Sequence, residues 1–371
     1  MSYIKKLILT NYRVYENNSF EFTPKINIIY GKNGIGKTNI LEAISFLSPG
    51  KGFFNSNLND VLKIGKDNWT VFTSIENNDI ADTLAVFSES DEENLKKKIK
   101  INGNPIRSQE ELNKIFNVVW LIPEMQNMFN DDKSVRRKFL DRTVYLLDNE
   151  HSSRVAKYEF LVKERMRVLQ DECKFDGKWL SALENKIAEA GIAIAVARNG
   201  VVKRMNTILS NYDFNFPKFT IALDGFFENL MLGDLKSIEA EEKFKKILLN
   251  NREKDKETKR TNEGVHKTDM RLFYQQKDMD AQFCSTGEQK LLLVSLTILK
   301  ALMCKENKKS TPIILLDEVF SYLDKDKKIE LFNELTKLDI QSFITGTDVC
   351  VFGECKDFNI NFVDLHKIIN K

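Results

Sequence analysis

The sequence predicts an α/β protein in which a mixed central sheet with a phosphate-binding loop and further antiparallel strands is interrupted by a mainly helical lobe. One observation is that residues 31–38 fit the pattern Gly, four residues, Gly-Lys-Ser/Thr, between a predicted strand and a predicted helix. Another is that Gly and Pro nearly vanish from 134–207, where apolar residues recur at helical intervals. We therefore predict an α/β lobe formed by residues 1–127 and 263–371, and an inserted helical lobe at 128–262.

The composition is that of an ordinary globular protein and sets few limits on its partners. With 371 residues the chain exceeds the size at which single cores usually split, so two lobes are expected. The net charge of +2 neither requires nor excludes nucleic acid. The five cysteines show no metal-ligand spacing and predict free thiols in a reducing cytosol. No apolar run reaches membrane-spanning length, and the start of the chain lacks a secretory segment, so we expect a cytoplasmic protein with no membrane partner.

Strands are predicted on both sides of the phosphate loop (residues 31–38). Residues 1–30 alternate apolar and polar positions, as two or three strands do, and the apolar run at 26–30 leads into the loop. Asn102-Gly103 marks a hairpin turn. The other strands before the helical lobe are predicted at 70–75, 83–87, 98–101 and 118–122.

The chemistry of the phosphate loop follows from its residue types. Glycines let successive N–H groups turn toward phosphate oxygens, and the following helix, with Ile40 and Ile44 at helical spacing, directs its positive end at the same anion. Lys37 is predicted to reach the β- and γ-phosphates of ATP, and Thr38 to ligate Mg²⁺. The alternative, a glycine-rich turn before an ordinary lysine, is disfavoured because strand, loop and helix agree. The predicted nucleotide-binding residues are Gly31, Lys32, Asn33, Gly34, Ile35, Gly36, Lys37, Thr38 and Asn39.

The helical lobe is predicted to hold three or four helices between residues 134 and 207, with their apolar faces forming a bundle core. Residues 252–260 mix both charge signs and contain no apolar side chain, so we interpret them as a solvated connection. The lobe has no sustained heptads, which argues against a long coiled coil.

A second part of the nucleotide site is predicted where the α/β pattern returns. The apolar residues 313–316 describe a strand buried on both faces, and Asp317 and Glu318 follow at its carboxyl end, where ligands bind in open α/β sheets. Asp317 is predicted to hold Mg²⁺, and Glu318 to orient or deprotonate the attacking water. An acidic strand end that only caps a helix is the alternative, which the phosphate loop in the same chain disfavours.

Residues 285–289, Ser-Thr-Gly-Glu-Gln, form a third element, which we call the signature element. A Ser, a Gly and free N–H groups at a helix start form an anion site, although taken alone the same residues are an N-cap with an acid in the first turn. Their position about thirty residues before the Asp-Glu strand favours the first interpretation.

Together these elements resemble the ABC-type ATPases. In that superfamily the Ser-x-Gly element contacts the γ-phosphate held by the loop of a second subunit, so the resemblance implies an ATP-dependent homodimer. It assigns nucleotide contacts to Ser285, Gly287 and Glu288. It also points to Asp324 as the loop residue between the two sites, to Thr347 or Thr345 as γ-phosphate sensor, and to Gln126 as the residue that helps place metal and water.

Further motifs narrow the resemblance to the RecF family of bacterial recombinational repair proteins, in order along essentially the whole chain. Residues 39–44, Asn-Ile-Leu-Glu-Ala-Ile, are much more specific than a bare phosphate loop. Two departures occur, because Asp131 to Ser134 replace a usual Gly-x-Pro, and Lys51 to Asn55 replace an arginine-containing segment. The other matching segments are 9–13, 122–124, 136–141 and 264–269.

The resemblance implies a weak, DNA-stimulated ATPase that dimerises on ATP and binds double-stranded DNA near gaps and junctions with single strands. It further implies RecO and RecR as partners and a role in loading recombinase during recombinational repair and replication restart. From the residues alone, basic side chains on predicted loops and helix starts are candidates to contact DNA phosphates. They are Arg13, Lys51, Arg107, Arg136, Arg137 and Lys138.

Three other functions remain as alternatives. Another ABC-type chromosome or break-repair ATPase would need hundreds of heptad residues, whereas the insertion has roughly 130 residues. A transporter motor would couple to membrane helices. A non-enzymatic assembly factor with a decayed site is disfavoured because Lys37, Thr38, Asp317 and Glu318 are all present.

Overall fold

We describe the fold from a computed structural model of the chain. It divides into two compact units, each treated separately below. The first unit comprises Met1–Gln126, Phe214–Phe216 and Leu293–Lys371, and the second unit comprises Asn127–Asp213 and Pro217–Leu292. The residues that the structure describes are 2–77, 80–91, 94–106, 109–171, 177–232, 237–307, 311–347 and 358–369.

An antiparallel sheet forms one layer of the first unit. Its apolar residues alternate with polar ones, so that Leu7 and Leu9 of the first strand are buried while their neighbours are partly exposed. The turn at Asn102-Gly103 has positive φ at both residues, as a tight hairpin requires, which confirms that prediction. The spatial order is β2-β1-β4-β5-β6-β7, with β1 at Ser2–Tyr12, β2 at Tyr15–Glu21, β4 at Thr70–Asn77, β5 at Ile80–Asp91, β6 at Asn94–Ile101 and β7 at Asn104–Pro105.

A five-stranded parallel sheet forms the other layer of the first unit. Four of its five strands are buried along nearly their whole length, which is why they are apolar runs rather than alternating patterns, whereas the edge strand at residues 360–364 is partly exposed. All neighbouring strands are parallel, so their carboxyl ends lie at one edge. The order is β14-β3-β13-β12-β8, with β3 at Ile26–Tyr30, β8 at Phe116–Leu121, β12 at Thr311–Leu316, β13 at Gln341–Gly346 and β14 at Ile360–Asp364.

The helix after the phosphate loop, α1 (Lys37–Ser45), is buried in the core that both sheets share. Ile40, Leu41 and Ile44 are fully buried, so the helix is apolar around most of its circumference. The core of this unit therefore fixes the helix that begins at the nucleotide site. The other helices of this region are α9 (Lys325–Leu338) and α10 (Leu365–Ile369).

The second unit is built on helices around a small sheet. Among the described residues three helices occupy the region for which three or four were predicted, and the second and third of them pack with a later helix through an apolar core that includes Leu161, Ile187 and Phe244. An antiparallel sheet of order β11-β10-β9 completes the unit. Its elements are α2 (Lys133–Tyr145), α3 (His151–Gln170), α4 (Gly177–Asn211), β9 (Phe219–Asp224), α5 (Phe226–Leu232), α6 (Ser237–Asn250), α7 (Arg252–Thr258), β10 (Asp269–Tyr274) and β11 (Met279–Asp280).

The prediction of a solvated connection at 252–260 is wrong, because Arg252–Thr258 is helix α7 and part of it is buried. Asp255 is 1% exposed, and its carboxylate lies 2.7 Å from the guanidinium of the fully buried Arg165. Arg252 pairs with Glu184 of α4. Two of the charges that resembled a solvated run, those of Arg252 and Asp255, are therefore matched by opposite charges elsewhere in the unit.

The long helix α8 (Thr286–Asn307) begins in the second unit and continues into the first, since the division falls between Leu292 and Leu293. Residues 263–292 belong to the second unit, while the lobe boundary at 262 stays a prediction. Cys284 and Cys304 are buried free thiols, and the other three cysteines, Cys173, Cys350 and Cys355, lie outside the described residues. Among the described helices, none combines the length and the apolar character needed to span a membrane.

Candidate functional site

The phosphate loop needs glycine at position 36 for two reasons. Gly36 is the N-cap of α1 with φ of 108°, a conformation that side-chain-bearing residues rarely adopt. A Cβ there would also lie 2.7 Å from the Tyr15 hydroxyl, which donates a hydrogen bond to the Gly36 carbonyl. Gly34 has φ of 81° with open space around it. The loop backbone is therefore shaped by glycine as predicted.

The Lys37 ammonium is held over the loop that precedes it. Its Nζ donates to the carbonyl oxygen of Gly31 at 2.7 Å and to that of Lys32 at 3.0 Å, and the side chain is only 5% exposed. Burial lowers the pKa of Lys37, while the charges of Glu318 and Asp317 oppose that shift. A buried ammonium beside a glycine-shaped loop at the start of a helix is the arrangement that binds polyphosphate.

Thr38 and Asp317 lie in contact at the carboxyl edge of the parallel sheet. The Thr38 hydroxyl is 3.0 and 3.1 Å from the two carboxylate oxygens of Asp317. Thr345, on the neighbouring strand β13, donates to the same carboxylate at 2.6 Å and accepts from the N–H of Glu318 at 2.9 Å. Burial raises the pKa of Asp317, which is 3% exposed, although the hydrogen bonds from Thr345 and Thr38 oppose the rise.

These two side chains suit Mg²⁺. Mg²⁺ prefers oxygen ligands and is usually held by one or two carboxylates together with substrate phosphates and water. The described residues contain no group of three or more His, Cys, Asp or Glu side chains that would form an all-protein metal cage. A buried carboxylate with a raised pKa gains the most from a cation beside it.

Glu318 is exposed although the residue before it is buried. It has φ of 51°, and its carbonyl accepts hydrogen bonds from the N–H and the hydroxyl of Ser321. The left-handed backbone therefore marks the point at which the chain leaves the strand. The side chain is solvent-exposed next to the buried Asp317, as a residue acting on a water molecule requires.

The signature element lies in the second unit, at the start of α8. Ser285 and Glu288 form a capping box, in which Oε2 of Glu288 accepts from the Ser285 N–H at 3.0 Å and from its hydroxyl at 2.8 Å. A Cβ added to Gly287 would meet no atom within 4 Å. The packing of this chain therefore does not require glycine there, and the surface over residue 287 is open.

Comparison with known proteins identifies the family. The profile of the RecF/RecN/SMC N-terminal domain family matches residues 3–364. The DNA replication and repair protein RecF of Agrobacterium fabrum is 35% identical over 94% of this chain and 93% of its own, and that of Mesorhizobium japonicum is 36% identical over 95% and 93%. The chain belongs to the RecF family.

A solved RecF structure agrees with this assignment. The structure described as the recombination mediator protein RecF-ATPrS in the RecFOR pathway aligns with a TM-score of 0.81 at 26% identity, covering 94% of this chain and 93% of that one. The family prediction made from the sequence is confirmed. The predicted fold class, an ABC-type ATPase head with mixed sheets, is confirmed as well.

Three residues to which the resemblance gave roles in this RecF-family site lie at element ends. Asp324 is the N-cap of α9, where its carboxylate accepts from the N–H of Lys327 at 2.8 Å. Thr347 is exposed just beyond β13, whereas Thr345 is the threonine that contacts Asp317. Gln126 lies in the short turn Pro123–Asn127 that follows β8. Their roles stay predictions.

One contact to the phosphate loop of this RecF-family chain was missed by sequence reasoning. The N–H of Lys32 donates to Nε2 of His366 in α10 at 3.3 Å. Leu365, the neighbour of His366, would be 3.5 Å from a Cβ at Gly31. A lone histidine near the end of the sequence carries no signal for such a contact.

The basic residues proposed from the sequence as DNA contacts differ in the structure, since some are held in ion pairs and others are exposed. Arg13 pairs with Glu42, which is fully buried on α1, through two hydrogen bonds of 2.7 and 2.8 Å. Arg136 pairs with Asp269 at 2.7 Å. Arg107 lies outside the described residues. Lys51 and Lys138 are exposed, and Arg137 is half-buried with one hydrogen bond to the Thr268 carbonyl.

Proposed function

We propose that this RecF-family chain is an ATP-dependent DNA-repair protein that dimerises on ATP, binds double-stranded DNA near gaps and junctions, and hydrolyses ATP slowly. The observation that carries the proposal is the contact between Thr38 and Asp317 beside the buried ammonium of Lys37. It brings together the two halves of a Mg²⁺-ATP site, one from each end of the chain. The names of the relatives, DNA replication and repair protein RecF, support the biological role.

In this proposal each side chain has one task. Lys37 would exchange its loop carbonyls for the β- and γ-phosphates, and Thr38 with Asp317 would hold Mg²⁺, which would supply positive charge beside those phosphates. Glu318 accepts a proton from the attacking water. Thr345 positions the Asp317 carboxylate through its hydrogen bond. Gln126 helps to place the water, and Thr347 senses the γ-phosphate.

Dimerisation follows from the number of elements in the chain. The chain has one phosphate loop and one signature element, so two composite sites need two chains. The open surface over Gly287 supports this arrangement, since no atom of the described residues packs within 4 Å of a Cβ placed there. Asp324, on the loop before α9, lies between the two sites of such a dimer.

Binding of DNA phosphates is supported by four basic residues of the second unit, which we call the cation cluster. Arg137 donates to the carbonyl of Thr268, beside Lys267, and Lys133 precedes Arg137 by one helical turn. The pKa of Lys267 is lowered, mainly by burial and then by the nearby positive charges of Arg260, Lys133 and Arg137. The negative charge of Glu263 opposes this shift. No ion pair neutralises any of the four among the described residues. The cation cluster is Lys133, Arg137, Arg260 and Lys267.

RecO and RecR are proposed partners because the solved relative is described as a mediator in the RecFOR pathway. In that role the chain helps to load recombinase onto gapped DNA. We also propose that DNA stimulates the weak ATPase activity, since DNA and the second chain would stabilise the same closed dimer.

The experiment that tests this function is a measurement of mass in solution, with and without ATP and a short DNA duplex, in moderate salt. Lys37→Ala is expected to lose ATP binding. Ser285→Arg is expected to bind ATP and remain monomeric, because it damages only the element offered to the other chain. Ser152→Arg, on an exposed position of α3, is the matched control and is expected to behave as wild type.

The proposal stands if ATP produces a wild-type dimer that holds the duplex while both site variants do not. A wild-type protein that stays monomeric with ATP, or that dimerises and ignores DNA, would contradict it. Loss of dimer in the Ser152→Arg control would show instead that any bulky cation on this unit is disruptive.

A further inference from the structure

A lysine outside the motifs is bound to the signature element. Lys277 lies in the turn between β10 and β11, and its Nζ is 2.7 Å from Oε1 of Glu288. The lysine side chain is 51% exposed, whereas the glutamate side chain is 20% exposed. Asp280, the carboxylate of the adjoining strand β11, is paired with Arg271 at 2.8 Å.

The second oxygen of the same carboxylate holds Ser285. Oε2 of Glu288 accepts from the Ser285 hydroxyl and N–H, which are two of the donors at the exposed start of α8. A phosphate that approaches these donors must therefore approach the carboxylate as well, and two anions at such a distance repel. The charge cannot be removed by a proton near neutral pH, since Lys277 and Ser285 lower the pKa of Glu288 to about 2.

We propose that Lys277 is a positioning residue of the composite ATP site, which acts by neutralising Glu288 so that the γ-phosphate bound to a second chain can approach Ser285. The inference rests on the proposed function, because it names what regulates access to the same site. Lys277 acts through Glu288 and is not itself a phosphate ligand in this proposal.

A purely structural role for the ion pair predicts different behaviour. The pair joins a turn to the first turn of a helix at the protein surface, with the lysine half-exposed, and surface pairs contribute little to stability. Removal of the lysine is therefore expected to leave folding intact. Its effect is expected in the assembly step, where a carboxylate without its cation meets an incoming phosphate.

The test is a double-mutant cycle on the ATP-dependent dimer of the full chain, measured as the dimer dissociation constant with saturating ATP. Lys277→Ala is expected to weaken the dimer about tenfold, and Lys277→Arg, which keeps the charge, to weaken it less than about threefold. Glu288→Gln removes the repelling charge, so Lys277→Ala in that background is expected to change the constant less than about twofold. Lys218→Ala, at an exposed lysine with no ion pair among the described residues, is the matched control.

The inference is overturned if Lys277→Ala has no effect in the wild-type background. It is also overturned if the loss is as large with Gln at position 288, because Lys277 would then act on the phosphate directly. Thermal unfolding of each variant separates assembly from folding. A wild-type chain that does not dimerise with ATP would instead contradict the proposed function, and with it the site to which this inference refers.

Discussion

The hydroxyl of Thr38 lies 3.0 and 3.1 Å from the two carboxylate oxygens of Asp317, although 279 residues separate them in the chain. If these two groups hold Mg²⁺, Asp317→Asn should lower the affinity for Mg²⁺ roughly 10- to 100-fold. Thr38→Val should have a similar effect, whereas Thr38→Ser keeps the hydroxyl and should resemble wild type. Nucleotide affinity measured over a Mg²⁺ titration tests this, and an unchanged Mg²⁺ dependence in Asp317→Asn would contradict the assignment.

Glu318→Gln should separate ATP binding from hydrolysis. The variant keeps the shape of the side chain and loses the base, so we expect hydrolysis to fall about 10²- to 10⁴-fold while ATP binding is retained. Glu124→Gln is the control, since Glu124 is an exposed acid in the turn after β8 whose charge acts on Asp317. A larger loss of ATP hydrolysis in Glu124→Gln than in Glu318→Gln would indicate that Glu124, and not Glu318, is the general base.

Arg13 is expected to matter for stability and not for DNA binding. Arg13→Met leaves the buried carboxylate of Glu42 without its partner, so the free energy of unfolding should fall by about 3 kcal/mol. Lys51→Met, at an exposed lysine, should leave it unchanged. Chemical unfolding measures the first effect, and the salt dependence of DNA binding should be equal in Arg13→Met and wild type. A smaller slope of log DNA affinity against log salt in Arg13→Met than in wild type would show that Arg13 contacts DNA.

The cation cluster makes a prediction about salt. Each lysine that contacts a phosphate releases counterions, so Lys133→Ala and Lys267→Ala should each reduce the slope of log affinity against log salt by roughly one. Lys186→Ala, at an exposed position of α4, should leave the slope unchanged. Duplex binding at several salt concentrations provides the measurement. Slopes equal to that of wild type in all three variants would show that DNA does not bind at the cation cluster.

Lys97 should make stability depend on pH. Its Nζ donates to the carbonyls of Phe46 and Gly50, just after α1, and burial lowers the pKa of Lys97 to about 7. Above that pH the folded chain loses a proton that the unfolded chain retains up to its pKa of 10.5, so folding is favoured as pH rises between these values. The neutral amine keeps its N–H donors, so both hydrogen bonds survive.

The measurement is urea unfolding of wild type and Lys97→Met between pH 7 and 10. The stability of wild type relative to the variant should increase across this range, since the methionine does not titrate. A difference that stays constant with pH would show that the amine titrates alike in folded and unfolded chains.

Local signals were enough to predict the parts of the site that depend on short segments. The strand, the glycines and the helix around Lys37 are contiguous, and the apolar strand before Asp317 is contiguous as well, so spacing and hydrophobicity identify both. Because carboxyl ends of parallel strands share an edge, even the meeting of the two segments could be expected.

Individual side-chain contacts between residues distant in the sequence could not be predicted from such local signals. From the sequence Arg13 is one of six candidates for a DNA contact, because its partner Glu42 is indistinguishable in sequence from any other helical glutamate. The charges of α7 resemble a solvated run until Arg165, 90 residues earlier, is seen beside Asp255. Thr345 contacts Asp317 only because β12 and β13 are neighbours in this register. In each case the information lies in the packing and not in the segment.

The empty space beside Gly287 has a practical consequence for anyone who surveys variants of this chain. In the part of the chain that the structure describes, an added methyl group there packs against nothing within 4 Å, so alanine at this position should express, purify and melt like wild type. Screens that score soluble yield or heat resistance would record the residue as dispensable. Only an assay that measures dimer formation would reveal why the absence of a side chain at this position matters.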